Sequence, residues 1–134
     1  MKISLEQTGG IYTLHSYRDE TITIRPPNAA PDDDEKLIQL KGSCLLSATT
    51  LIDNWPPQQM AQLTAEHLQA IHELKPEVLL LGSGSKMSFP KTEQLAALVK
   101  LGIGYEVMDT AAACRTFNVL VGEGRKVVAA LFSR

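Results

Sequence analysis

The chain has 134 residues, and its 13 Lys+Arg against 15 Asp+Glu leave a net charge of −2, which excludes general attraction to nucleic acid or to an anionic membrane. That length suits one domain, residues 1–134, able to bury a substantial core without disulfides or metal. The two cysteines, Cys44 and Cys114, lie far apart in no CxxC or zinc spacing, which predicts free thiols in a reducing compartment.

Residues 1–10 mix charged and polar groups, with neither a secretory apolar segment nor an arginine-rich transit pattern. No apolar run reaches the length of a membrane span, so the expectation is a soluble, cytoplasmic protein without membrane insertion. Lys and Arg are scattered and no basic stripe carries interleaved aromatics, so no nucleic-acid partner is expected.

The first half reads as short strands. Residues 11–15 and 21–24 alternate apolar and polar groups, and 17–20 between them form a hairpin connection. Residues 26–35 carry three prolines and the run Asp32-Asp33-Asp34-Glu35; without spaced calcium ligands this is a solvated loop. Residues 36–40, 43–47 and 51–53 are further strand candidates, halted by Trp55-Pro56-Pro57.

The second half alternates helix and strand. Thr64 is the expected N-cap of a helix with an apolar stripe of Leu68, Ile71 and Leu74, ended by Pro76. Residues 78–81 are a continuous apolar run, as in a strand buried on both faces. Pro90 opens a helix that turns Leu95, Leu98 and Val99 inward and stops at Gly102. A strand at 105–108, a helix at 109–120 and a strand at 127–132 complete the pattern. Strands joined by such helices should be parallel neighbours with right-handed crossovers. The fold class is therefore α/β: a three-layer domain whose mixed central sheet carries helices and an additional N-terminal β layer.

The strand ending in LLLGSG (79–84) and the run GIGYEVMDTAAACRTFNVLVGEGRKVVAAL (102–131) resemble a family of small, mostly uncharacterised domains. Leu45-Leu46 and Trp55-Pro56 extend the likeness over nearly the whole chain. That family includes mitochondrial complex I assembly-factor relatives and an adipogenesis-associated protein of animals. The resemblance implies the same three-layer α/β fold. It also implies a protein partner and a role in assembling a respiratory or membrane complex, outside that enzyme's own chemistry.

No catalytic constellation, cofactor motif or metal-ligand spacing is evident, so no catalytic residue, cofactor or metal is assigned, and an enzyme is the less expected class. Gly82-Ser83-Gly84-Ser85 leaves a buried strand and is either a tight exit turn or a loop whose amides meet an anion; it fits neither a P-loop nor a dinucleotide fingerprint. Asp109 is an N-cap or a functional carboxylate on the same rim. Arg115 lies on a helix side with Ala111, Asn118 and Val119, and serves internal carbonyls, an anionic ligand or a partner. Its structural reading predicts that Arg115→Ala costs more stability than a surface change. Cys114 is read as a small core residue rather than a nucleophile. Trp55 with Pro56 either covers the core or anchors a partner. The small-residue helix face permits a homodimer.

Overall fold

The computed structural model describes residues 10–134, so the segment read above for targeting signals lies largely outside the described residues. Strands β1 (Thr13–Arg18), β2 (Thr21–Arg25) and β3 (Ile38–Leu40) form an antiparallel three-stranded sheet. Asp19 and Glu20, both at positive φ (52° and 60°), make the two-residue turn that right-twisted hairpins favour. That turn lets β1 run to Arg18, further than the sequence pattern suggested. Residues 26–35 form the expected loop, closed by a short 3-10 turn at Asp34–Lys36.

The remaining strands are β4 (Cys44–Leu46), β5 (Leu51–Ile52), β6 (Val78–Gly82), β7 (Tyr105–Met108) and β8 (Val127–Leu131), joined in the order β5-β4-β8-β6-β7. β6 pairs in parallel with both β7 and β8, whereas β4 runs antiparallel beside β8 and β5. The sheet is therefore mixed, as anticipated, but one expected pairing is corrected: β7 and β8, joined by α3, run parallel without being neighbours, because β6 lies between them and pairs with both.

Its two faces are covered differently. Side chains of β6 alternate: Leu79 and Leu81 join Leu68, Ile71, Leu98 and Trp55 in one core, and Val78 and Leu80 join Ile24 and Phe117 in the other. Helices α1 (Ala65–Glu73) and α2 (Thr92–Lys100) thus cover one face, while α3 (Thr110–Gly122) and the three-stranded sheet share the other. Complete burial of β6 and β8 explains why both are near-continuous apolar runs.

Local signals set the helix ends. Thr64 accepts the His67 amide, and the His67 ring accepts the Thr64 amide at 3.0 Å, a reciprocal box at the start of α1. Gly102, at φ 73°, ends α2. One expected face is corrected: Val99 is 68% exposed, because α2 turns Gln94 and Leu98 inward. The Gln94 amide is buried by design, since its Nε2 donates to the carbonyls of Met60 (3.0 Å) and Leu63 (2.9 Å) while its Oε1 accepts the Lys91 amide at 2.7 Å. A polar group with every bond made can outrank a valine for an inward position.

Candidate functional site

The strand register brings Gly82 level with Met108 on one side and Leu131 on the other. Residues 83–85, Asp109 and residues 132–134 therefore leave the sheet along one rim. This is the place where open α/β sheets commonly hold ligands.

Its polar groups are turned on one another. The Ser83 amide donates to Met108 O (2.9 Å), the Gly84 amide to Thr110 Oγ1 (2.8 Å), and the Thr110 amide back to Gly84 O (2.9 Å). Thr110 Oγ1 in turn donates to Phe132 O at 2.6 Å, and the Phe132 amide donates to Gly82 O at 3.0 Å. Thr110 thus ties three strand exits together from a fully buried position. Gly84 sits at φ 104°, and a Cβ there would collide with the carbonyl of Arg134, which passes directly over it. Only glycine fits this position. Asp109 accepts the Ala112 amide at 2.8 Å, acting as the N-cap of α3. Ser83 Oγ donates to Lys86 O (2.7 Å) and accepts the Ser88 amide (3.1 Å), while Ser85 is exposed.

Arg115 lies elsewhere. It is exposed, with no hydrogen bond or ion pair among the described residues, and borders a hollow of about 190 Å³ with His15, Ser16, Tyr17 and Asn118. Residues 82–85 and Asp109 do not line that hollow. Because no layer covers the guanidinium, the expected structural penalty for Arg115→Ala gives way to a surface-sized effect. Beside it, Asn118 does what sequence reasoning missed: its Oδ1 accepts the Leu14 amide and its Nδ2 donates to the Leu14 carbonyl, both at 2.8 Å. One side chain thereby imitates a neighbouring strand next to the register shift between Leu14 and Ser16.

Trp55 is 4% exposed, its ring 5.7 Å from His67 and 5.9 Å from Phe132. This corrects the partner-anchor option for Trp55, since the indole is spent on the core; Pro56 beside it is exposed. Ser43 Oγ fixes the turn by sharing its single proton between the carbonyls of Trp55 (2.8 Å) and Pro57. Of the three alanines opening α3, Ala113 is used internally and is fully buried. A Cβ on Gly82 would meet Ala113 Cβ at 3.1 Å, so helix and strand approach closely there.

A larger hollow of about 370 Å³ lies at the opposite pole of the sheet, among Ile11, Leu74, Pro76, Val121 and Arg125. No group of three or more His, Cys, Asp or Glu that could hold a metal occurs among the described residues.

Both cysteines are buried and free. Burial raises each thiol from an ordinary 9.0 to about 12, with the Cys114 charge adding to the effect on Cys44, and Arg115 opposing it at Cys114. As pH rises, the unfolded chain releases these protons first. The stability contribution is full below about pH 9 and is lost toward pH 12, by up to about 1.4 kcal/mol per pH unit for each thiol. Urea midpoints measured from pH 8 to 10.5 should fall steeply, and less so in the Cys44→Ala/Cys114→Ala variant. Equal slopes would assign the alkaline loss to other groups.

Residues 16–132 match the family described as "Protein of unknown function (DUF498/DUF598)". The chain belongs to this family. It is 37% identical over 92 residues to NADH dehydrogenase (ubiquinone) 1 alpha subcomplex assembly factor 3 of Danio rerio, covering 67% of this chain and 52% of that protein. The chain thus spans about half the length of that assembly-factor relative. It is also 32% identical over 84 residues to the 13 kDa major membrane protein of Francisella tularensis, covering 62% of this chain and 68% of that one. Among solved structures, a Xanthomonas campestris protein aligns at 35% identity with a TM-score of 0.74, covering 91% of this chain and 84% of that one. A Bordetella pertussis protein described as a Mth938-like domain aligns at 29% identity with a TM-score of 0.69, covering 90% and 85%. The sequence resemblance to a family of small, mostly uncharacterised domains with NADH dehydrogenase assembly-factor relatives is thereby confirmed, and so is the α/β architecture. No helix among the described residues is long and apolar enough to cross a membrane.

Proposed function

We propose that the protein is a non-catalytic assembly or protein-interaction factor acting in the cytoplasm on a respiratory or membrane complex. The observation that carries this reading is the 37% identity, over 92 residues, to an assembly factor for NADH dehydrogenase. The rim supports it from the opposite direction. The amides of Ser83, Gly84, Thr110 and Phe132 and the hydroxyls of Ser83 and Thr110 are already bonded within the fold, which leaves those groups little capacity to grip a small molecule. A chain that chaperones another needs exposed contact surface more than a pocket.

A second reading, an anion-binding domain, rests on one feature: the Arg115 guanidinium standing unpaired among the described residues beside its hollow. Arg115 and Val119, 59% exposed one turn on, equally form an outward stripe for a partner.

Affinity capture of the full chain from the cells that make it, with identification of co-purifying proteins and metabolites, separates the two. Recovery of a membrane-complex subunit is the expected result. A retained metabolite with no protein, lost in Arg115→Ala, would replace this reading with the second.

A further inference from the structure

The rim also builds a display loop. Between β6 and α2, residues 85–89 carry Met87, 46% exposed, and Phe89, 71% exposed, the largest exposure among the big apolar side chains of the described residues. The exposure does not come from a slack loop. Ser83 Oγ clasps Lys86 and Ser88, the residue before Phe89, while Pro90 after it is buried. The Lys91 amide is held in turn by Gln94. Phe89 is therefore projected into solvent between fixed neighbours, where burying it against a partner requires little ordering of the backbone.

Lys86 and Lys91 flank the pair, both exposed and neither in an ion pair among the described residues. We infer that residues 85–91 are the docking surface for the protein partner, inserting Phe89 and Met87 into an apolar groove of that protein whose borders carry Asp and Glu. Phe and Met are enriched at the centres of protein interfaces, and paired lysines at the edge set orientation and approach. An anionic membrane suits the same chemistry less well. Two lysines and two small apolar projections, on a chain of net charge −2, lack the second anchoring signal that stable membrane attachment takes.

This inference rests on the assembly reading and is tested so that the two can fail separately. A photoreactive benzoylphenylalanine is placed at position 89 of the full chain, with a control at Ile52, 38% exposed on the far edge strand of the sheet. Irradiation in the producing cells should give an adduct from position 89 alone, to a peptide with apolar residues flanked by carboxylates. Phe89→Asp should weaken capture of that protein about 100-fold with unchanged melting. Lys86→Glu with Lys91→Glu should weaken it about 10-fold at low salt and less at high salt. Full capture by Phe89→Asp, an adduct from Ile52 only, or an adduct to phospholipid would overturn the docking surface while the assembly reading stands. Should the unmodified chain capture no protein at all, both fall.

Discussion

Thr110→Val should lower stability by about 3 kcal/mol, a drop of about 10–15 °C in melting temperature, although the two side chains have nearly the same shape. Valine keeps the packing of this fully buried position and removes only the hydroxyl. The lost bonds are those from the Gly84 amide and to the Phe132 carbonyl, at 2.8 and 2.6 Å. Both backbone groups stay inside the rim with no replacement, and an unmet buried donor or acceptor costs more than a hydrogen bond contributes. Thr110→Ser keeps the hydroxyl and should lose only about 1 kcal/mol, from the missing methyl. Thermal melts of the two variants side by side make the measurement; equal losses would mean that methyl packing, not the hydroxyl, holds the strand exits together.

Gln94→Glu should cost a similar amount, about 3 kcal/mol at pH 7, and its cost should depend on pH. One carboxylate oxygen can still accept the Lys91 amide, but the other replaces an amide that donates to Met60 and Leu63. Facing those carbonyls in a buried site, the new carboxyl group is held above its ordinary value in the folded state. Its deficit against the parent is therefore small near pH 4, where folded and unfolded chains both carry the proton. The deficit grows as pH rises and the unfolded chain ionises first. Denaturant titrations of both proteins at pH 4 and 7 test this, through the difference between them at each pH. A deficit that is constant across that range would show that the carboxylate escapes to solvent.

Both residues mark where the amino-acid pattern stops being informative. The apolar run of β6, the Thr64 and Asp109 caps and the helix-linked parallel strands were legible because each depends on neighbours close in the chain. The rim's location was legible for the same reason. Its occupancy was not, because the group that fills it bonds to the carbonyl of Phe132, on a strand exit that only the folded sheet brings alongside. Trp55 is the same case: its burial depends on Phe132 arriving beside it, not on the flanking prolines. In α2 the polar Gln94 gave no hint of facing inward, since its acceptors belong to the turn at Met60–Gln62 and the residue after it. The allocation of β4 and β5 to the main sheet, and not to the N-terminal layer, also rests on pairing with a strand at the other end of the sequence.

That last pairing has a consequence for how the protein is made. β8, the last of the described strands in sequence, is inserted between β4 and β6. A nascent chain that has not yet released residues 127–131 from the ribosome holds two bare strand flanks and an open seam through the middle of its sheet. Sealing of the sheet must therefore wait until residues 127–131 have been translated and freed, and closure links partners far apart in sequence, a slow class of event. Prematurely terminated products would carry unpaired, apolar edges ready to recruit other chains. In the cell this topology makes quality control depend on one five-residue segment: with it the sheet seals, and without it the polypeptide is a substrate for holdases and proteases.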